Sequence, residues 1–209
     1  QVDVNSGRIN KVYSLSYTDP YYTVDGVSRG FDIYHRKTDA SSLTVGPYVT
    51  SAFGGGMRFG IPLAEKDGLS FGLNAENVKI DTFAESPTSY LNFVNSFGSN
   101  YSYLAATGGW SRDTRDSFIQ TTKCSLYKVY TEASVGKLKY YKLGYQQQYY
   151  TPLTRSITLM LNGDIGIGDG YGGRPMPFFN SYYAGGPGSL RGYAFAGVGP
   201  RDSLGNGLG

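Results

Sequence analysis

The sequence predicts an all-β fold, specifically a transmembrane antiparallel β-barrel. Three observations point there: side chains alternate between apolar and polar along segment after segment, aromatics are abundant while charges are few, and the connections alternate in kind. From Ile157 to Ile167 one alternate set is Ile157, Leu159, Leu161, Gly163, Ile165 and Ile167. The intervening set is Thr158, Met160, Asn162, Asp164 and Gly166. One face is apolar and the other mostly polar or small, which is strand periodicity.

Taken in chain order, Tyr13, Leu15 and Tyr17 alternate with Ser14 and Ser16. Leu43, Val45, Pro47 and Val49 alternate with Thr44, Gly46, Tyr48 and Thr50. Leu69, Phe71, Leu73 and Ala75 alternate with Ser70, Gly72, Asn74 and Glu76, and Tyr141, Leu143 and Tyr145 with Lys142 and Gly144. The pattern gives about ten strands, near 1–6, 9–18, 27–38, 42–61, 68–80, 100–112, 118–134, 137–150, 155–168 and 189–198. No segment shows a helical stripe. The 42–61 segment is long for one strand, so "FGGGMRFG" is expected to hold a bulge or bend.

Composition bounds the function classes. The 209 residues include 30 Gly, 20 Tyr and 11 Phe but only one His and one Cys, so an internal disulfide, most zinc sites and Ser-His or Cys-His nucleophile pairs lack support. Charged residues make up 17%, below the roughly 25% of a soluble domain. The net charge of +3 is scattered, which argues against nucleic acid. No run approaches the roughly 20 apolar residues of a spanning helix. Mean hydropathy is negative, which suits a soluble protein but equally a barrel whose alternate residues face a wet lumen. The chain starts at Gln1 without a charged-then-apolar leader and stops in "SLGNGLG", so a piece cut at both ends is expected.

Short connections such as "IPLAEKDG" and "YTPLTR" alternate with a set that includes two long stretches, Asp81–Asn100 and Asp169–Ser189. Short periplasmic turns and longer outer loops produce that alternation. Soluble β-sandwiches share the strand pattern. Aromatics near strand ends, long strands and a polar second face favour the barrel. Unpaired backbone groups are so costly in hydrocarbon that the strands must close into a ring.

The stretch Asp169–Ser189 is rich in Gly, Pro and aromatics, which suits a compact ordered loop. Folded inward, it would carry Arg191 into a confined lumen, where a guanidinium needs carboxylate or carbonyl partners. Composition alone equally allows an exposed loop arginine.

"YYAGGPGSLRGYAFAGVGPRD" strongly resembles the signature region of the BamA-type outer-membrane assembly family. "TDPYYTVDGVSRG", "GWSRDTRDSFIQTT" and "GDGYGGRPMPFF" are similar to three further family stretches and keep their order. The resemblance implies that residues 1–209 are the central part of a barrel of about 16 strands, with an inward loop at about 169–193. The motif residues would be Leu190, Arg191, Gly192 and Tyr193, supported by Gly185, Gly186 and Gly188. Periplasmic repeat domains, the first two strands or so and the last four would lie outside this chain. The late strands usually hold the acidic partners of the motif arginine; within this chain, Glu76 and Asp164 are lumen-facing candidates by parity only.

What the resemblance implies functionally is a non-enzymatic, cofactor-free factor integral to the bacterial outer membrane. It would fold and insert β-barrel clients, which add at a weak seam between first and last strands. Its partners would be outer-membrane lipid, unfolded client proteins and periplasmic lipoprotein accessory subunits, with no nucleic acid. A two-partner secretion translocase of the same superfamily would share the loop motif. A passive porin fits less well, because the loop has few opposed charges: Asp169, Arg174 and Arg191. "GDIGIGDGYGG" lacks the following helix of a nucleotide loop. "RDTRD" is expected to be a solvated turn with local ion pairs, His35 a rim residue, and Cys124 a small wall residue.

Overall fold

In the computed structural model, which describes residues 1–7, 9–41, 47–115, 124–154, 157–186, 189–194, 196–201 and 205, nine strands pair in strict chain order. They are β1 (Val2–Ser6), β2 (Asn10–Asp19), β3 (Ser28–Asp39), β4 (Tyr48–Ala64), β5 (Asp67–Thr82), β6 (Asn100–Asp113), β7 (Cys124–Gly136), β8 (Tyr140–Pro152) and β9 (Thr158–Gly170). Every neighbouring pair is antiparallel, so the whole sheet is a meander of hairpins.

Register turns the sequence alternation into two faces. Leu15 pairs with Ile33, Tyr17 with Phe31, Phe31 with Met57 and Met57 with Leu73, so one continuous apolar surface runs across β2 to β5. It continues on β8 and β9, where Leu143 pairs with Ile167 and Tyr145 with Ile165. These side chains are exposed, Ile165 at 69%. Such a surface on a long sheet calls for a lipid environment rather than water. The opposite, inner face carries Tyr34, Gly54, Glu76 and Tyr103 in one cross-strand row.

Strands β4 and β5 join through Glu65–Lys66 at one end, the turn end, where β8 ends and β9 begins. At the other, the loop end, lie the β5–β6 connection and the chain after Gly170. The hydrophobic core sits there, on the inner face: Tyr48, Val78, Ile80, Tyr101 and Tyr140 from the strands, with Tyr90 and Phe178 from the connections.

Three expectations are corrected. The stretch Asp81–Asn100 contains a helix, α1 (Thr88–Phe97). Tyr90, Phe93, Val94 and Phe97 recur at the spacing of one helical face, Pro87 precedes it, and Gly98 (φ 88°) ends it by donating to the Val94 carbonyl. The "FGGGMRFG" segment holds no bulge: β4 passes through it in unbroken register with β3, and the register shift falls later, between Pro62 and Ala64. The predicted strand at 189–198 is absent. Its described residues form turns, with positive φ at Gly192 (90°) and Ala196 (50°), which an extended strand cannot accommodate. Only an isolated bridge, Ala184 to Val198, remains. The first part of the predicted strand at 118–134 lies outside the described residues.

Candidate functional site

The loop after β9 folds back across the inner face at the loop end. Tyr171 starts the return: its amide donates to the Lys139 carbonyl at 3.1 Å and its hydroxyl to the Ser134 carbonyl at 2.6 Å. Arg174 donates to the Lys137 carbonyl, and its guanidinium lies 5.3 Å from the Phe97 ring. Pro177, fully buried, leads into a single 3-10 turn at Phe178–Asn180.

Phe178 is the anchor. Its ring stacks on Tyr90 of α1 at 3.9 Å and 11°, and meets Tyr48 of β4 edge-on at 5.2 Å. Phe93 and Phe179 complete the cluster at 5.8 and 5.4 Å. Each such pair adds about 0.5–1.5 kcal/mol beyond the area it buries. Tyr183 donates to the Phe178 carbonyl at 3.0 Å, and its hydroxyl lies 3.2 Å from that of Tyr90. Burial and the Tyr90 hydrogen bond push the Tyr183 hydroxyl well above the ordinary tyrosine range, so it stays protonated. Helix, strand wall and returning loop therefore share one aromatic core.

Beneath it, Glu76 of β5 collects the polar side chains of the inner face. It is almost wholly buried and accepts from Tyr34 of β3 and from Tyr103 of β6 at 2.9 Å, while Arg36 lies 3.6 Å away. Asn74 donates to Tyr34 at 2.7 Å. Side chains of β3, β5 and β6 are thus tied through one carboxylate across Gly54 of β4, the arrangement that makes a buried charge tolerable. A cavity of about 460 Å³ separates this group from Phe179 and Asn180 of the loop. Further along, Tyr140 donates to Glu132, and Tyr182 of the loop lies over Lys142 with its ring 5.0 Å from the ammonium.

The motif itself occupies a turn beyond this core. Leu190, Arg191, Gly192 and Tyr193 are all exposed. Among the described residues the Arg191 guanidinium has no hydrogen-bond or ion-pair partner. Neither parity candidate engages it: Glu76 is held by Tyr34, Tyr103 and Arg36 on the inner face, and Asp164 is exposed on β9. The glycines before the motif are buried and hold the turn. Gly185 (φ 116°) accommodates the Ala194 carbonyl so closely that a Cβ there would sit 2.4 Å from its oxygen. Gly185 donates to the Ser189 hydroxyl at 2.7 Å, and Gly186 to the Leu190 carbonyl at 3.2 Å. Gly188 lies outside the described residues.

At the turn end, Arg112 grips Asp67 of the next strand through two hydrogen bonds of 2.7 and 2.8 Å, and Arg115 grips Asp113. The expected local ion pairing of "RDTRD" is therefore half local and half cross-strand, with Asp116 outside the described residues. His35 lies on the outer face at the loop-end rim, 3.2 Å from the Ser51 hydroxyl.

Sequence reading missed Glu76 as a hub, α1, and the Tyr90–Phe178 stack. The helical spacing in "TSYLNFVNSF" was there to find. Tyr90 and Phe178 are 88 positions apart in sequence, and their pairing left no local signal.

A lipid-facing antiparallel sheet whose long loop returns over its inner face defines a class, the outer-membrane β-barrel with an inward loop. The chain belongs to the Omp85 superfamily, whose domain matches residues 1–209. It is 37% identical over 201 residues to the outer membrane protein assembly factor BamA of Neisseria meningitidis serogroup B, covering 90% of this chain and 25% of that protein. It is 26% identical over 206 residues to the BamA of Nitratidesulfovibrio vulgaris strain Hildenborough, covering 94% and 24%. The crystal structure of BamA from Haemophilus ducreyi lacking POTRA domains 1–3 superposes with a TM-score of 0.88 at 25% identity, over 96% of this chain and 41% of that one. The chain thus spans about a quarter of the length of these curated relatives.

Proposed function

We propose that this chain is the central wall and inward loop of an outer-membrane protein assembly factor, integral to the bacterial outer membrane, which folds and inserts β-barrel clients. The observation that carries the reading is the loop of residues 171–186 seated through Phe178 on the inner face of a lipid-facing sheet, within a chain similar to BamA along 90% of its length. The work done is conformational: clients gain strands by pairing at a sheet edge, and no covalent step or cofactor is involved. The partners of the whole protein are lipid on the outer face, unfolded barrel clients, and periplasmic lipoprotein subunits, the last on the family resemblance alone.

Within this reading Arg191 pins the turn to an acidic group of the barrel wall beyond the nine strands, while Gly185 and Gly186 fix the turn that presents it. The test is Arg191→Ala in the full-length protein, in cells depleted of their own assembly factor. The expected outcome is a loss of heat-modifiable porin in the outer membrane. Wild-type client levels with unchanged barrel heat-modifiability would reject the role of Arg191.

A further inference from the structure

The outer face at the loop end carries a row of polar side chains that the assembly reading leaves unused. Register sets Ser6 opposite Lys11, Lys11 opposite Lys37, and Lys37 opposite Ser51. Each lies two positions from an outer-face residue on its own strand: Val4, Tyr13, His35 and Phe53. The four therefore line up across β1 to β4, on strands about 4.8 Å apart.

Lys11 and Lys37 are exposed, and among the described residues neither has an ion-pair partner. Like charges directly opposite on neighbouring strands repel. Of the nearby acids, Asp81 pairs with Lys79 at 3.2 Å, and Asp39 accepts from the Ser41 amide at 3.0 Å while keeping its charge. The Ser51 hydroxyl is held by His35. Towards the turn end the same strands expose Tyr13, Leu15 and Ile33. Cations and hydroxyls thus sit directly beyond an apolar band headed by an aromatic, the level at which lipid headgroups lie. Long loops mark the extracellular side of such barrels, so the leaflet concerned is the outer one.

Most turn-end cations are engaged: Arg112 and Arg115 each grip a carboxylate, and Arg29 lies 3.8 Å over the Tyr22 ring, while Lys66 is exposed without an ion-pair partner among the described residues. Two cations without ion-pair partners directly opposite on neighbouring strands mark the loop-end row, and a phosphate has the charge and the acceptor oxygens to satisfy them.

We propose that Lys11 and Lys37, flanked by Ser6 and Ser51, form an outward-facing site for a phosphate-bearing headgroup of an outer-leaflet lipid. The site rests on the outer-membrane reading. It anchors one flank of the barrel to the lipid through which clients are inserted.

The test uses the full-length protein in a neutral maltoside detergent. It is titrated with bisphosphorylated lipid A, with dephosphorylated lipid A, and with inorganic phosphate, and bound molecules are counted by native mass spectrometry. Wild type is expected to retain bisphosphorylated lipid A. The K11Q/K37Q variant should bind it roughly tenfold or more weakly, while K11R/K37R and the turn-end variant K66Q bind as wild type does. Dephosphorylated lipid A and inorganic phosphate should not compete. Heat-modifiable migration checks that each variant is folded, and K11Q alone carries the test if the double variant is not. Equal retention by wild type and K11Q/K37Q, loss in K11R/K37R, or full competition by inorganic phosphate overturns the site. Client assembly in depleted cells is scored separately. Failed assembly with lipid retention intact would reject the assembly reading and leave the site standing.

Discussion

The two ends of the sheet are held in different ways. At the loop end, long connections are ordered by a shared aromatic core in which Phe178 from one loop is clamped between Tyr90 of α1 and Tyr48 of β4. At the turn end the β4–β5 and β8–β9 hairpins are short, and paired charges such as Arg112 with Asp67 lie beside them. A short hairpin needs little help, because the cost of closing a loop grows with its length. A long loop must bury enough surface to offset the ordering of many residues. The difference teaches that the inward loop is a packed element of the fold, and that its order depends on residues far away in sequence.

That contrast can be broken most severely at its anchor. Phe178→Ala should cost the cap about 3–5 kcal/mol. Hydrogen exchange is then expected to rise across α1 and residues 171–186, with β1–β3 unchanged. Uniform protection across both loops would show that the cap does not depend on this ring.

Next in size is the polar hub. Glu76→Ala leaves Tyr34, Tyr103 and Arg36 without their shared acceptor, a loss of about 2–3 kcal/mol. The expected signature is a lower temperature for loss of heat-modifiable migration, with the aromatic cap still protected from exchange. Gly185→Val should follow, at roughly 1–3 kcal/mol for a strained backbone. Its effect should stay local, seen as faster proteolysis near residues 189–194, and silence there would mean that the turn tolerates a side chain.

Smaller still is the alkaline response of the cap. Because Tyr183 ionises less readily when buried, its contribution is fully present below the ordinary tyrosine pKa of about 10 and falls as pH rises beyond it. Tyr183→Phe should blunt that fall, measured by exchange across the loop between pH 8 and 11. Smallest of all is the turn end, where Arg112→Gln should leave the melting of the barrel unchanged. A large shift would overturn the contrast between the two ends.

Much of this was legible in the sequence, for a specific reason. Alternation in segments such as Ile157–Ile167 depends only on the two-residue period of a strand, so fold class, most strands and the lipid-facing set could be read directly. The motif glycines were also visible, and the structure gives Gly185 a steric task. The helix α1 is present in the spacing of Tyr90, Phe93, Val94 and Phe97, but the Ser, Asn and Pro around it are equally turn residues. The strand expected at 189–198 failed because left-handed backbone at Gly192 and Ala196 breaks an alternation that side-chain types alone suggest.

By itself, then, the sequence determined which side chains meet lipid, because alternation is a local property of the chain. Only the tertiary structure decided that Glu76 gathers Tyr34, Tyr103 and Arg36, that Phe178 seats on Tyr90, and that Lys11 stands opposite Lys37. Those pairings are set by register and by the return path of a loop, which join residues tens of positions apart and leave no mark on any local stretch of the chain.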